Sequence, residues 1–249
     1  MKIVVVMTYF ERQFQLARTL LSLNDSKAYF EVVIMDDGSR DEIIIPDNLR
    51  FNTYPLRMCR KSWTNPEPVY NSGIKHALTL NPDVIVLQNA ECYHIGDVLK
   101  YAERVTNKNY LSFGCFSLSK ESTFNNLLPV NSIGASRDGQ DAWYNHSVYR
   151  PVGYDFCAAI TTENLLKLNG YDERLSYGCG YGDDYLLARV KMLGLNVEIV
   201  NYPYVAHQWH YNCPVPENKG ELVAKNKSLY CELLKENNYR AEHLITQDL

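Results

Sequence analysis

The chain has 249 residues, an apolar share of 46% and a formal net charge of −4. This length suits one large α/β domain, and we predict a single domain over 1–249. The small negative charge offers no electrostatic basis for binding nucleic acid or an anionic membrane surface. No apolar run reaches the roughly 18–20 residues of a membrane span and no signal-peptide core is found, so we expect a cytoplasmic protein. Seven scattered cysteines without a CxxC pair are typical of reduced, buried thiols.

Short apolar runs alternate with helical patterns in the first part of the chain. Residues 2–6, 31–35 and 83–87 are typical of buried parallel strands, and residues 11–23 and 69–80 have the periodicity of helices. Each apolar run ends in polar residues. This order predicts an open, mostly parallel α/β sheet flanked by helices, which binds ligands at the carboxyl ends of its strands.

The second part of the chain is less regular. Residues 114–153 are rich in Gly, Ser, Asn and Pro, which predicts an irregular excursion that forms a binding loop. Further on, the patterns predict a strand at 154–160, a helix at 162–168, a strand at 196–200 and a terminal helix at 221–237. We therefore expect a Rossmann-like nucleotide-binding half (1–110), a second half that contains the binding loop (111–215) and a C-terminal helical segment (216–249).

Polar and aromatic side chains follow the first two strands, where neighbouring strand ends can grip one ligand. Aspartate can accept a hydrogen bond from a ribose hydroxyl or a base imide, an aromatic ring can stack on the base, and arginine can face phosphate. The segment Asp36-Asp37-Gly38-Ser39 also fits a turn that simply ends a strand. The predicted nucleotide contacts are Thr8, Tyr9, Phe10, Arg12, Asp36, Asp37, Asn71 and Asn89.

Asn89 and Glu91 follow the third predicted strand and are separated by one residue. In an extended segment both side chains project to one side, an arrangement that suits a hard divalent cation which also binds phosphate oxygens. A polar loop without a metal is the alternative interpretation.

The segment Gly180-Tyr181-Gly182-Asp183-Asp184 directly precedes a helical pattern. A glycine-rich turn here brings two carboxylates to a helix start, where free amides and the helix dipole favour negative charge. One carboxylate of such a pair can act as a base while the other holds a neighbouring group. Helix capping alone is the simpler alternative.

In their order along the chain, these segments resemble the family 2 glycosyltransferases of the GT-A fold. The resemblance rests on residues 4–12 and 33–39 and on the strand that ends at Glu91, and it extends from Lys2 to about His210. Residues 180–185, followed by Arg189, are similar to the Gly-x-Gly-Glu-Asp segment of galactosyltransferase-type enzymes. The resemblance implies inverting transfer of a sugar from a UDP- or GDP-type nucleotide sugar to a hydroxyl of a glycan or other acceptor. It also implies that the contacts named above bind the nucleotide sugar and that 111–215 is the acceptor-binding and catalytic half.

The resemblance also implies a divalent cation, Mn²⁺ or Mg²⁺, held by Glu91 and His207, because His207 stands where that group has a metal-binding histidine. His210 would face the opposite side of a strand, so we assign His207 alone. Relatives usually have Asp-x-Asp where this chain has Asn89-Ala90-Glu91, which lowers the charge of the metal site and leaves metal-independent catalysis as an alternative.

Two carboxylates share the chemistry that the resemblance implies. Asp183 stands at the usual position of a glutamate, and we predict that it holds the acceptor or orients the base. Asp184 is the predicted general base, which accepts the proton of the attacking hydroxyl.

The predicted acceptor contacts are aromatic or lie in the glycine turn: Trp143, Tyr144, His146, Tyr181 and Gly182. Aromatic rings can stack on sugar faces, although a packed loop is an equal alternative for the first three. Two other functions stay open. A nucleotidyltransferase is disfavoured by the absence of a Gly-rich phosphate loop after the first strand, and a non-catalytic sugar-binding module is disfavoured by the retained aspartate pair.

Overall fold

The computed structural model describes residues 1–59, 61–128, 134–135, 140–211 and 217–247. Its strands are β1 (Lys2–Tyr9), β2 (Tyr29–Asp36), β3 (Thr53–Arg57), β4 (Val84–Asn89), β5 (Cys92–Ile95), β6 (Asn109–Ser117), β7 (Ala142–Asn145), β8 (Cys157–Thr161) and β9 (Asn196–His207). Its helices are α1 (Gln13–Leu23), α2 (Glu67–Thr79), α3 (Val98–Ala102), α4 (Lys120–Phe124), α5 (Thr162–Leu168), α6 (Gly182–Met192) and α7 (Lys219–Glu236), with a 3₁₀ helix at Glu173–Tyr177.

The strands form one nine-stranded sheet in the order β3-β2-β1-β4-β8-β6-β9-β5, and β7 pairs with β6. Strands β1, β2, β3, β4, β6 and β9 run in one direction, and β5, β7 and β8 run in the other. The predicted α/β class, with an open and mostly parallel sheet, is confirmed. The antiparallel strands β5, β7 and β8 among these parallel strands were not predicted.

Strand β1 shows why its sequence is an unbroken apolar run. Val4 and Val6 pack on one face of the sheet in a cluster with α2, and Val5 and Met7 pack on the other face in a cluster with α1. Both faces are therefore withdrawn from water, and each such side chain contributes about 1.5–3 kcal/mol of burial. Helix α2 can pack closely on β1 because residue 73 is a glycine. A Cβ at this position would lie 2.7 Å from a methyl group of Val6.

The stretch 114–153 is only partly the irregular excursion that we predicted. Its first residues complete β6, which lies between β8 and β9, and residues 142–145 form β7. Strand β6 is hard to recognise in the sequence because it contains polar residues. One of them, Ser112, is buried and accepts a hydrogen bond from Asn145 (2.9 Å). The predicted loop residues 129–133 and 136–139 lie outside the described part of the chain.

Helix α6 is fixed to its surroundings by a buried arginine. Arg189 is 1% exposed and donates hydrogen bonds to the carbonyls of Leu168 (3.0 Å) and Gly170 (2.9 Å), just after α5. A longer bond (3.5 Å) reaches the carbonyl of Tyr239 in the C-terminal segment. Burial lowers the pKa of Arg189. One side chain thus joins α6, α5 and the chain end.

In the described ranges, no helix combines the length and apolar character needed to cross a membrane.

Candidate active site

A cavity of about 670 Å³ opens at the carboxyl ends of β1, β2 and β4. Strand ends form one side of it, and the segment before α2 and the glycine turn before α6 form the other. The predicted residues in its wall are Thr8, Tyr9, Phe10, Arg12, Asp37, Asn89, Glu91, Tyr181, Gly182 and Asp183. Motifs more than 150 residues apart in the sequence therefore meet in one space.

The two aspartates after β2 have different roles in the structure. Asp36 is 2% exposed, and its Oδ1 accepts hydrogen bonds from Ser39 N (2.9 Å) and Ser39 Oγ (2.6 Å). This carboxylate closes the turn, and the structure places it outside the cavity wall, contrary to its prediction as a ligand contact. Asp37 lines the cavity and is the member of the pair that can meet a ligand.

Asp37 and Phe10, both predicted as ligand contacts, share a wall with Lys61 and Trp63, which were not predicted. Trp63 Nε1 donates to its Oδ1 (2.9 Å) and Lys61 Nζ to its Oδ2 (2.5 Å), and Lys61 also lies 4.8 Å from the ring centroid of Phe10. Desolvation raises the pKa of Asp37, although Lys61 opposes this. An aromatic face beside a hydrogen-bonded carboxylate suits a planar heterocycle with polar edges.

Three potential metal ligands converge at the other end of the cavity. Glu91 Oε1 lies 3.3 Å from His207 Nε2 and 3.5 Å from His210 Nε2, and one ligand atom from each residue can be chosen so that all lie within 4.8 Å. The expectation that His210 faces away from His207 is wrong, because β9 ends at His207 and strand alternation does not continue to His210.

The donor set at this cluster fits a divalent transition-metal ion. Glu91 is 2% exposed, and its Oε2 has no hydrogen-bond partner among the described residues. Burial alone would raise the pKa of Glu91, but the charge of Arg12 (Nη1 at 2.5 Å) and the His207 hydrogen bond hold it well below its usual range. One carboxylate with two imidazoles suits Mn²⁺ better than Mg²⁺, which prefers oxygen ligands. Asn89, the other polar residue predicted beside Glu91, accepts a hydrogen bond at its Oδ1 from the Tyr70 hydroxyl (2.9 Å).

The two aspartates at the start of α6 also differ. Asp183 lines the cavity and its side chain is open to it. Asp184 Oδ1 accepts a hydrogen bond from the Tyr154 hydroxyl (2.5 Å), and Asp184 is not among the described residues of the cavity wall. Of the two carboxylates, Asp183 is the one that lines the cavity.

Desolvation by the enclosing protein raises the pKa of Asp183 well above its usual range, and the nearby carboxyls of Asp155, Glu67 and Asp184 raise it further. Water can reach the exposed side chain through the cavity, so the rise is smaller than complete burial would produce. A carboxylate with a raised pKa is a stronger proton acceptor, which suits a general base.

Two further carboxyls in the wall were missed in the sequence because neither belongs to a motif. Glu67 is the first residue of α2, and burial raises its pKa to about 8. Asp155 is 4% exposed, accepts a hydrogen bond from the Tyr171 hydroxyl, and has its pKa raised by burial. An acidic residue in the first turn of a predicted helix was the one available signal for Glu67.

The glycines of the turn before α6 allow other side chains to pack against it. A Cβ at Gly182 would lie 2.3 Å from Glu67 Oε1, and a Cβ at Gly178 would lie 2.0 Å from Asn226 Oδ1. Asn65 donates to the Gly180 carbonyl (2.9 Å) and accepts from the Gly180 amide (3.0 Å). Asn226 of α7 donates to the same carbonyl (2.8 Å). Residues from the segment before α2 and from α7 therefore fix the turn that precedes Asp183.

The predicted aromatic acceptor contacts separate onto two sides of β7. Trp143 packs on Phe116 (centroids 5.1 Å apart) and lies beside His146 (4.5 Å). Tyr144 points the other way, with its ring centroid 5.3 Å from that of His207. Of these three predictions, the structure brings only Tyr144 near the candidate metal ligands, since successive strand residues face opposite sides.

Asn71 is also placed differently from its prediction as a nucleotide-sugar contact. It is fully buried, and its amide bonds the Tyr171 backbone and Glu173 Oε1 (2.9 Å). The side chain holds α2 against the segment before the 3₁₀ helix, and Asn71 is not among the described residues of the cavity wall.

This fold and cavity are those of a GT-A glycosyltransferase. The sequence profile described as "Glycosyl transferase family 2" matches residues 3–154, which is more than half of the chain. The chain therefore belongs to glycosyltransferase family 2. No curated protein matches it in a direct sequence comparison.

Several solved glycosyltransferases share the fold at low sequence identity. S. aureus TarS (fragment 1–349) is 14% identical with a TM-score of 0.63 over 99% of this chain and 67% of the fragment. The mannosyltransferase PcManGT from Pyrobaculum calidifontis, solved with GDP-Man and Mn²⁺, is 14% identical with a TM-score of 0.54 over 94% and 64%. The catalytic domain of Drosophila β1,4-galactosyltransferase 7, in complex with xylobiose, is 13% identical with a TM-score of 0.53 over 90% and 80%. This chain thus spans about two thirds of the length of the first two.

Proposed function

We propose that this glycosyltransferase moves a sugar from a UDP- or GDP-type nucleotide sugar to a hydroxyl of a glycan or other acceptor, with inversion at the anomeric carbon. One observation carries the proposal: Asp183 lies in the wall of the same cavity as Asp37 and Glu91. A site for the nucleotide, a site for its diphosphate and a candidate base therefore share one space. The related structures with UDP-GlcNAc and with GDP-Man support a donor of this class.

The donor nucleotide lies, in this proposal, against the wall of Phe10, Lys61 and Asp37. Its diphosphate extends toward Arg12 and the cluster at Glu91. Charge must be neutralised there as the sugar leaves, and Arg12 supplies a fixed cation. A divalent ion held by Glu91, His207 and His210 would add Lewis-acid stabilisation of the leaving diphosphate.

The base in this proposal is Asp183, and not Asp184 as the sequence predicted. The acceptor oxygen attacks the anomeric carbon while its proton passes to the Asp183 carboxylate, and the bond from that carbon to the diphosphate oxygen breaks. A single displacement of this kind inverts the anomeric centre. Tyr144, Tyr181 and Gly182 are the proposed acceptor contacts, and Asp184 is held by Tyr154 at the edge of the site.

The proposed function is tested by incubating the protein with a panel of UDP and GDP sugars, with Mn²⁺ and with excess chelator. We expect release of free UDP or GDP from at least one donor, and a higher Mn²⁺ requirement in the Glu91→Gln variant. The exposed Glu42→Gln variant is the control for loss of one carboxylate. Tight binding of a nucleotide sugar without any turnover would favour a binding module. Formation of UTP or GTP together with a sugar 1-phosphate, when pyrophosphate is added, would favour a nucleotidyltransferase.

The two aspartates after β2 give a matched pair for nucleotide binding. Asp37→Asn removes a charged acceptor in the cavity wall, and we expect it to weaken UDP or GDP binding by about 1–3 kcal/mol in calorimetry. Asp36→Asn is expected to leave affinity nearly unchanged and to lower the melting temperature, because that carboxylate closes the turn. Equal losses of affinity in both variants would contradict the assignment.

A further inference from the structure

The backbone of the candidate metal cluster (Glu91, His207 and His210) is held in place by a buried glutamine. Gln208 stands between the two histidines, and its backbone amide (3.1 Å) and its Nε2 (3.0 Å) both donate to the Glu91 carbonyl. Its Nε2 also donates to the carbonyl of Gln15 in α1 (3.0 Å). The spacing of the three ligand side chains is therefore fixed by hydrogen bonds that leave their ligand atoms free for other partners.

An arginine side chain pairs with the carboxylate of this cluster. Arg12 Nη1 lies 2.5 Å from Glu91 Oε1, and Nε2 of His207 (3.3 Å) and Nε2 of His210 (3.5 Å) approach the same oxygen. Arg12 lines the cavity, and its side chain is 21% exposed. Glu91 is the one carboxylate of the three candidate ligands. Its formal charge is cancelled by the guanidinium, so the pair gives a divalent ion little electrostatic attraction.

The neighbouring groups do not restore that attraction. Asn89 is uncharged, and its Oδ1 accepts a hydrogen bond from the Tyr70 hydroxyl (2.9 Å). Glu91 Oε2 is buried and has no hydrogen-bond partner among the described residues, so it offers an ion a second oxygen. The guanidinium of Arg12 would then remain on the other oxygen of the same carboxylate. Two cations on one buried carboxylate repel each other strongly, because little water screens them there.

We propose that Arg12 competes with the divalent ion for the charge of Glu91: it keeps the affinity of the nucleotide-free protein for the ion low, and a nucleoside diphosphate raises that affinity by supplying the negative charge that Arg12 otherwise takes from Glu91. This inference rests on the proposed function, which places the diphosphate at Arg12. Guanidinium groups pair with phosphate as well as with carboxylate. Since linkage is reciprocal, the ion also raises the affinity for the nucleotide by the same factor.

Binding of Mn²⁺ to the nucleotide-free protein tests the first half of the inference. Arg12→Met keeps the aliphatic part of the side chain and removes the charge, and we expect it to bind Mn²⁺ at least about tenfold more tightly than the wild-type protein. Arg12→Gln should show the same gain, whereas Arg12→Lys keeps the charge and should stay close to the wild-type affinity. Electron paramagnetic resonance measures the free Mn²⁺. Loss of the gain in the double variant Arg12→Met/Glu91→Gln identifies the cluster as the binding site.

Addition of UDP or GDP tests the second half. In the wild-type protein we expect the nucleotide to raise the affinity for Mn²⁺, after allowance for Mn²⁺ that the nucleotide binds in solution. In Arg12→Met the rise should be about tenfold smaller, because the competing charge is already absent. Arg40→Met is the matched control. Arg40 is exposed and pairs with Glu11 (3.5 Å), the residue before Arg12, so its removal should change neither affinity at physiological salt.

Absent, equal or weaker Mn²⁺ binding in Arg12→Met and Arg12→Gln overturns the inference. The same gain in Arg12→Lys or in Arg40→Met also overturns it, because the effect would then not come from a charge at this position. A nucleotide-induced rise of equal size in the wild-type protein and in Arg12→Met contradicts the second half. Circular dichroism verifies that each variant is folded. If Mn²⁺ binds as expected but no nucleotide sugar is turned over, the proposed function fails, while the competition between Arg12 and the ion stands.

Discussion

Asp183→Asn is expected to lower kcat by about 10²–10⁴-fold while leaving nucleotide affinity close to that of the wild-type protein. The amide keeps the shape of the side chain but cannot accept the proton of the attacking hydroxyl. Nucleotide affinity should persist because the candidate nucleotide wall around Asp37 belongs to different strand ends. Steady-state kinetics with the best donor, together with calorimetry for UDP or GDP, measure the two quantities separately.

Asp184→Asn is the matched control for that experiment, since it removes the same charge one residue further along. Its carboxylate is engaged by Tyr154, so we expect a smaller loss of kcat and some loss of thermal stability. Near wild-type turnover in Asp183→Asn together with an inactive Asp184→Asn would return the base to the residue that the sequence suggested. Near wild-type turnover in both would remove this segment from the chemistry.

Arg189→Met is expected to destabilise the protein by about 3–5 kcal/mol, which corresponds to a fall in melting temperature of roughly 6–20 °C. The variant keeps much of the aliphatic volume but leaves the carbonyls of Leu168 and Gly170 buried without their charged donor. Thermal and urea unfolding followed by circular dichroism measure the effect.

Arg240→Met is the control, because this exposed arginine also donates to a carbonyl near α5, that of Leu166 (3.3 Å). Exposed groups can exchange such a bond for water, so we expect less than about 1 kcal/mol. Equal losses of stability in both variants would show that the contribution of Arg189 does not depend on burial of the carbonyls that it bonds.

The best-predicted strands are those that helices cover on both faces of the sheet. The best-predicted helix is one whose two ends are set by residues next to it in the sequence. Residues 3–7 of β1 and 32–35 of β2 are unbroken apolar runs because helices cover both faces of the sheet. Helix α5 was predicted at 162–168 and begins and ends there, since Asn169 and Gly170 both adopt the left-handed conformation that stops it. β6 was missed because its buried serine is paired with an asparagine that lies 33 residues away.

The candidate site was predictable as a location, but less so in its details. The polar residues that follow the strands predicted where the cavity lies and that Glu91 stands at one end of it. Spacing could not decide between Asp183 and Asp184, because adjacent residues on a helix differ by about 100° in direction and only packing shows which faces the cavity. Glu67 and Asp155 lie in the cavity wall because of tertiary contacts, for which a single sequence carries almost no signal.

The hydrogen bonds of Asn226 tie α7 to the turn before α6, so the position of this turn depends on the last helix. Its amide bonds Gly180 and the Leu175 carbonyl (2.9 Å), and its side chain fills the gap left by the missing Cβ of Gly178. Deleting α7 would open a hole beside the turn and leave Asn65 as its one remaining side-chain tether among the described residues. We expect a shortened protein to keep its sheet and the candidate nucleotide wall and to lose catalysis, which would make the last helix part of the catalytic unit.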